Sequence, residues 1–576
     1  MDIKLKLAGY VSGLFGERFE TGFISDLITV PPESSLGDYA LPCFRLADKN
    51  VPEIANPKLA AEYIKNELLK GDSNEFISEI RAVGPYLNFF LNRGYVAGSI
   101  VGEILEKQAD YGKTDDGSGK KIVIEYSSPN IAKPFHIGHL CSTAIGSSLS
   151  RIYSFLGYDV ERVNHIGDWG TQFGKLISAY KRWGDRDVIS KDPINELLKI
   201  YVRFHKEAAE HPELEDEARH YFNLLENGDG EVTALWKFFV EASLSEFNRM
   251  YKLLGIGFDS FAGESFYSDK MPEVVELLRE KGLLEESDGA YVVRFDDPNM
   301  PPCIILKSDG STIYATRDIA AAVYRKRHYN FDKNIYVVGT PQALHFRQVF
   351  TVIEKMGFNW AKDCVHVGFG YVRFPDRALS TRNGDVVLLE DVLNESISKT
   401  REIIEGNGSA SKIDNLDEAC NTIGVGAILF EFLKNGRERD IIFDLNKILD
   451  FEGESGPYVQ YTYARGRSVL RKAADLSLDF SNADLKLLNT DEEYTLIKSL
   501  EKYSNIVRDA ADKNEPYIVT RYAIELAKNF NKFYTQSNVL KSEPDVRASR
   551  LCLIEASTQV LRSVLYLIGV GVVEKM

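Results

Sequence analysis

The run SPNIAKPFHIGHL, Ser128 to Leu140, brings two prolines, two histidines, a glycine and the lone cation Lys133 into thirteen residues. Two histidines three apart could hold zinc or simply cap a helix. Zinc takes three or four ligands, and no cysteine or second histidine pair lies at a suitable local spacing. The anion-site reading uses more of these residues. A helix starting near Gly138 turns unpaired N–H groups, and the positive end of its dipole, toward whatever sits at its start. His136 and His139 add donors there, and Gly138 removes a side chain where a flat base could pack. Such a site suits the phosphates of ATP. Lys133, its direction fixed by Pro134, would supply charge from one side. A solvated loop lysine is the plain alternative.

A second set of candidates is acidic. Glu125 ends the apolar run KIVIE, and Asp318 lies in TIYATRDIAAAVYR, where Tyr314 and Asp318 are four apart on one helical face. Carboxylates that converge can pair with a cation, the more so with a planar one that carries several donors. For either acid alone, a structural ion pair is the ordinary alternative.

The elements that must place these residues follow from periodicity. KIVIEYSS reads as a buried parallel strand, the prolines as a tight loop, and HLCSTAIGSSLSRIYSFLGY as a long helix, the opening of a βαβ unit. Ligands gather where such strands end. Residues 1–112 mix helical periods with short strands and are read as an α+β domain, closed by the Gly-rich linker YGKTDDGSGKK. Residues 113–395 are read as a doubly wound, Rossmann-like parallel-sheet domain with a helical insertion at about 181–290. Its later strands are expected in GAYVVRF, CIILK, NIYVVGT and CVHVGFGYV. Residues 396–453 connect it to an all-α bundle at 454–576, where YAIELAKNFNKFY and RLCLIEASTQVLRSVLYLIG carry helical apolar spacing.

Composition sets bounds. The chain has 576 residues, 44% hydrophobic and 27% charged, a balance consistent with three or four globular domains. No apolar run reaches the length of a membrane span, and MDIKLKLAGY lacks a secretory pattern, so a cytoplasmic location with reduced thiols is expected for the six scattered cysteines. The net charge of −16 argues at first against a nucleic-acid partner. It is unevenly spread: residues 455–576 carry 17 basic and 15 acidic side chains, so the acidity lies in the body.

The block EYSSPNIAKPFHIGHL resembles the HIGH region of class I aminoacyl-tRNA synthetases, in the form taken by arginyl-tRNA synthetases, and NHIGDWGTQFGKL (Asn164 to Leu176) is similar to the same family. The second HIG, at His165, continues into Asp168-Trp169 and is read as a wall of the site. The resemblance implies a HUP-type class I catalytic domain, an N-terminal domain that touches the tRNA elbow, and a DALR-type anticodon-binding tail. It implies activation of arginine by ATP, with Mg²⁺ accompanying the nucleotide and no zinc, followed by transfer to tRNA(Arg). The family further implies a monomer whose activation step requires tRNA.

Site residues carry over by motif. His136, Gly138 and His139 would bind ATP. Arginine would be held by Glu125, Ser128, Pro129, Asn130, His139, Tyr314, Asp318 and Gln342. The KMSKS segment corresponds to Ala378 through Arg382, with Ser380 and Arg382 closing on the phosphates. Its first lysine is alanine, and the resemblance implies that Lys133 substitutes for it as a catalytic cation. GPYVQYTYARGRS resembles the start of the anticodon-binding domain, placing Tyr458, Tyr461 and Arg465 on one helix face for stacking on bases; an aromatic core stripe is the alternative. Met576 would reach the anticodon loop, and Tyr86 and Asn88 a D-loop base. Three rivals remain open: another class I synthetase, a small-molecule nucleotidyltransferase, and a catalytically silent tRNA-binding paralogue.

Overall fold

The computed structural model describes residues 3–70, 75–374 and 387–576. The chain packs into two compact units, one of Met1–Gly112, Thr462–Ser504 and Glu525–Ser563, the other of Lys113–Tyr461, Asn505–Ile524 and Val564–Met576. The helices of the tail are thus divided between the two.

In the first unit, β1 (Tyr39–Pro42), β2 (Ile77–Val83) and β3 (Tyr86–Leu91) form an antiparallel sheet in the order β1-β3-β2. Val83 pairs with Tyr86 across a two-residue turn, and Gly84 takes the φ of +59° that such a hairpin favours. Helix α1 (Pro57–Lys70) packs on this sheet through a face that buries Ala60, Ala61 and Ile64. Helix α2 (Arg93–Lys107) starts at Asn92, whose side chain accepts the Tyr95 N–H, and buries Val96, Ile100 and Ile104 at helical spacing.

In the second unit, β4 (Lys121–Glu125) leads through the signature loop into α3 (Ile137–Phe155) and then β5 (Asp159–Val163). A helical stretch follows, with α4 (Thr171–Trp183), α5 (Pro193–Glu210), α6 (Glu213–Glu226) and α7 (Gly230–Leu254). The Asp229 side chain caps α7 by accepting the N–H groups of Glu231 and Val232, and Gly255 ends it in the left-handed conformation at φ +65°.

Then come β6 (Glu285–Ser287), β7 (Ala290–Val293), β8 (Cys303–Leu306), α8 (Tyr314–Tyr329), β9 (Lys333–Val337), α9 (Ala343–Lys355) and β10 (Cys364–Val367). The parallel sheet runs β10-β9-β4-β5. Its order reverses between β4 and β9, and the crevice beyond the carboxyl ends of those two strands is where doubly wound sheets take ligands. β4 is central and buried along almost its whole length, which is why its three middle residues, Ile122, Val123 and Ile124, are consecutively apolar rather than alternating. Val123, Val163, Tyr336, Phe346 and Cys364 pack together on one face.

GAYVVRF and CIILK are strands, but they lie outside the parallel sheet: β6, β7 and β8 form a separate antiparallel sheet. The cause is local. Ser287 pairs with Ala290 across Asp288-Gly289, both with left-handed φ (51° and 77°), a two-residue turn that folds the chain straight back. Among the described residues no helix is long and apolar enough to cross a membrane.

Helix α3 packs against Tyr126, the residue that follows β4, through Gly146. A Cβ at Gly146 would lie 2.2 Å from the Cβ and Cγ of Tyr126, whose side chain is 1% exposed. Gly146→Ala is expected to destabilise the protein by about 1–3 kcal/mol, the usual result of overpacking. A fall in melting temperature checks this.

Candidate functional site

The start of α3 is capped by imidazoles. The His136 Nδ1 accepts the Gly138 N–H at 3.1 Å, and the His136 N–H donates to the His139 Nδ1 at 3.1 Å. Each ring therefore spends Nδ1 as an acceptor and must be the Nε2–H tautomer, keeping one donor. The rings stack at 3.7 Å between centroids. Burial, then the neighbouring His136, then Lys133 push the His139 pKa down to about 3; burial and then Lys133 lower that of His136. The pair is a neutral two-donor unit at neutral pH. Gly138 is not an open floor in this structure. The His136 ring occupies the space above it, and a Cβ there would sit 3.0 Å from Nδ1 and Cε1.

Lys133 is exposed, and among the described residues it has no ion-pair partner, so its charge remains available beside the two rings. Residues 387–389 return to this point: Ile137 N–H donates to the Val387 carbonyl at 3.1 Å and Leu389 N–H to the Phe135 carbonyl at 3.0 Å. Ala378, Ser380 and Arg382 lie outside the described residues.

Between β4 and α3 the backbone is forced. Ser127, Ser128 and Ala132 have φ of 71°, 49° and 59°, each costing about 1–3 kcal/mol unless its surroundings hold it. The Ser128 N–H donates to the Asn164 Oδ1 at 3.1 Å, while its Oγ is buried with no partner. The Pro129 carbonyl accepts the Gly167 N–H, and Asn130 is exposed beside Gly167. A Cβ at Gly167 would stand 2.2 Å from the Asn130 Oδ1, so the second HIG is a close-packed wall of the loop.

The acids require a correction. Glu125 ends β4 with 7% exposure, but it is not a free carboxylate: its Oε2 forms an ion pair with the Arg325 Nη2 at 2.6 Å, and Arg325 is wholly buried. Asp318 is likewise engaged, accepting from the His345 Nε2 at 2.6 Å. Arg325 lies seven residues after Asp318 on the same face of α8, about 10 Å further along the axis. Both acids act on one buried phenol, Tyr336 on β9, whose pKa is driven up by burial first and then by charges that include Glu125 and Asp318. They therefore share a neighbourhood, each with a basic partner. Tyr314, 62% exposed, packs its ring 5.0 Å from His345, and Gln342, just before α9, is exposed.

Arg325, His345 and the pair Arg317–Glu264 (3.2 Å) are participants that motif reading passes over. The i, i+7 spacing of Asp318 and Arg325 was the one signal available. Burial, then opposed by Arg317, raises the Glu264 pKa.

Of the remaining candidates, Tyr86 is exposed at the β2–β3 turn. Asn88 is only 5% exposed, beside Gly37, where an added Cβ would lie 3.5 Å from the Asn88 Cβ, so the two do not form one open surface. Tyr458 and Tyr461 are partly exposed on their helix, whereas Val459 and Tyr463 form its buried stripe. Arg465 is also partly exposed; its Nη1 donates to the Asn531 Oδ1 at 2.5 Å, and its guanidinium lies 5.2 Å from the Tyr534 ring. Met576 is partly exposed.

Three family descriptions match the chain: "tRNA synthetases class I (R), catalytic domain" over residues 100–445, "DALR anticodon binding domain" over 459–576, and "Arginyl tRNA synthetase N terminal domain" over 3–91. An arginine–tRNA ligase of Clostridium botulinum (strain Alaska E43 / Type E3) is 53% identical over 577 residues, covering 100% of each chain. One of Clostridium perfringens (strain 13 / Type A) is 54% identical over 554 residues, covering 96% of each. The solved arginyl-tRNA synthetase of Thermus thermophilus has a TM-score of 0.82 at 23% identity, covering 100% of each chain. That of Plasmodium falciparum has a TM-score of 0.80 at 24% identity, covering 100% of this chain and 99% of the other. At such identities these two structures attest the fold.

The capping geometry predicts that His139 stays neutral far below the ordinary histidine range. Because its folded pKa is depressed, its contribution to stability is intact above about pH 6.5 and is lost as pH falls toward about 3. In NMR spectra of ring-labelled protein, the signal that disappears in His139→Gln should not shift between pH 8 and pH 5. For the buried pair, Arg325→Met leaves Glu125 without a partner and is expected to cost about 3–5 kcal/mol. Adding Glu125→Leu to that variant should restore much of the loss, as read from thermal melting.

Proposed function

The chain belongs to the arginyl-tRNA synthetase family, and we propose on that footing that the crevice at the ends of β4 and β9 is where arginine meets ATP. The activity is that of an arginine–tRNA ligase: ATP-dependent activation of arginine and esterification of tRNA(Arg). What carries this assignment is the end-to-end identity with arginine–tRNA ligases, 53% across all of this chain. The site geometry is consistent with it and supplies roles.

In activation, a carboxylate oxygen of arginine attacks the α-phosphorus, a bond to phosphorus forms, and the bond to the leaving pyrophosphate breaks. Negative charge gathers on phosphate oxygens during that exchange. The Nε2–H donors of His136 and His139, fixed beforehand by the cap on α3, would meet it without reorganisation. Lys133 would add a full charge from the loop side, in place of the lysine replaced by Ala378. Ser380 and Arg382 would approach from the segment whose far end, residues 387–389, bonds to residues 135–137. Mg²⁺ would arrive on the ATP phosphates.

The substrate's guanidinium would be read by Asp318 and by Glu125 through its Oε1, the Oε2 being held by Arg325. Tyr314 would close over the guanidinium plane. Ser128, with its unpartnered Oγ, Pro129 and Asn130 would hold the α-amino and carboxylate end together with His139 and Gln342. A ribose hydroxyl at the tRNA 3′ end then attacks the activated carbonyl and AMP departs. Tyr458, Tyr461, Arg465 and Met576 would serve the anticodon stem-loop, with the exposed Tyr86 at the elbow and the covered Asn88 left out of direct contact. We further propose a cytoplasmic monomer.

Pyrophosphate exchange tests the assignment: exchange should depend on arginine and be assayed with and without tRNA. Strong exchange with a different amino acid, or none under any condition, overturns it. Lys133→Ala should lower kcat by about 10²–10³-fold while the arginine KM moves by less than about twofold. An unchanged kcat would return Lys133 to the solvated-loop reading.

A further inference from the structure

The forced turn between β4 and α3 is held from α3, where the Ser142 Oγ accepts the Ser127 N–H at 2.9 Å and the Thr143 Oγ1 lies 2.9 Å from the Ser127 Oγ, and from one face of a helix in the insertion. Ser243, Phe247 and Tyr251 stand at i, i+4 and i+8 on α7, with exposures of 0%, 0% and 2%. The Tyr251 Oη lies 2.7 Å from the Ser127 Oγ and accepts from the Asn164 Nδ2 at 3.0 Å. Because the Oη accepts from Asn164, its own hydrogen is free for Ser127. The other end of the Asn164 amide, Oδ1, accepts the Ser128 N–H at 3.1 Å. One phenol thus secures both consecutive left-handed residues, Ser127 directly and Ser128 through Asn164.

The same helix face reaches the rest of the loop. The Ser243 Oγ accepts the N–H of Ala132, the third left-handed residue, at 3.1 Å. The Phe135 ring sits 5.6 Å from the Tyr251 ring at 90° and 5.9 Å from Phe247, and it also lies 5.2 Å from His139. Tyr251 itself is wedged 4.8 Å from Phe258. Its ring therefore supports the histidine end of the loop, whereas its hydroxyl supports the serine end. The two functions are separable by removing one oxygen.

We propose that Tyr251 is a positioning residue for the amino-acid half of the site: its hydroxyl, through Ser127 and Asn164, fixes the orientation in which Ser128 presents its Oγ and backbone to the substrate's α-amino and carboxylate groups. The proposal rests on the reading of Ser128 as a contact to arginine. The unpartnered Ser128 Oγ is the group being presented. Asn164, in the second HIG segment, is the relay, which gives that segment a task beyond lining the loop.

The test uses the full chain in tRNA-supported pyrophosphate exchange. Tyr251→Phe keeps the ring and removes the hydroxyl. The arginine KM should rise by about tenfold, the loss expected when a buried polar pair is broken. The ATP KM should stay within about twofold, because the Phe135–His139 support is intact. Ser127→Ala removes the same bond from the loop side, together with the one to the Thr143 Oγ1, and should show at least the arginine effect; adding Tyr251→Phe to Ser127→Ala should change little further. It also carries the test should Tyr251→Phe fail to fold. Unchanged arginine kinetics in both single variants, or arginine and ATP KM values rising together with a lowered melting temperature, would overturn the proposal alone. A wild-type protein without arginine-dependent exchange would overturn the functional reading with it.

Discussion

A guanidinium with no exposure to solvent must have its charge answered inside the protein. Arg325 is that group, and Glu125 answers it at 2.6 Å. Placing either charge in the interior alone costs several kcal/mol, so the two must be buried together or not at all. That condition ties the end of the central strand β4 to the face of α8. With this contact made, Asp318 lies two turns earlier on the same helix, and the charges of both acids bear on the buried Tyr336 of β9. The pair also leaves one Glu125 oxygen uncommitted. An acid whose orientation is fixed by an internal cation can direct that oxygen at a ligand without swinging.

The start of α3 is built on the opposite principle, donors without charge. A helix start in the interior leaves N–H groups to be satisfied, and here imidazole nitrogens do it. Using Nδ1 of both rings for the cap settles which nitrogen carries the proton. Burial and the close stacking of two rings keep a second proton off. The result is a rigid, neutral donor pair, with full positive charge left to the exposed Lys133. Charge that must be held still is buried and paired. The charge of Lys133 remains in solvent.

Much of this was legible in the residues. The run KIVIE followed by SPNIAKPFHIGHL implied strand, tight loop and helix, and β4 and α3 follow that order. The spacing of His136 and His139 implied a donor pair at a helix start. The separate β6-β7-β8 sheet was less legible, although Ser-Asp-Gly-Ala is a hairpin signal in its own right; apolar runs of four residues look alike in parallel and antiparallel sheets. Asn88 could not be placed either, because its alternation with Tyr86 says which face it is on and not what passes over that face. The role of α7 was invisible, since Tyr251 reads as one more apolar position on an amphipathic helix until its hydroxyl is seen against Ser127.

The sequence by itself determined the local conformations and the family: the strand-loop-helix opening, the histidine spacing, and motifs specific enough to point to arginine–tRNA ligation. These depend on residues close along the chain, whose geometry is set by backbone sterics and helical or extended period. The tertiary structure decided who answers each charge. Glu125 and Arg325 are two hundred positions apart, and Ser127 and Tyr251 more than a hundred. Composition shows that such groups exist, but a buried charge or hydroxyl chooses its partner by proximity in space, and only the folded chain supplies that.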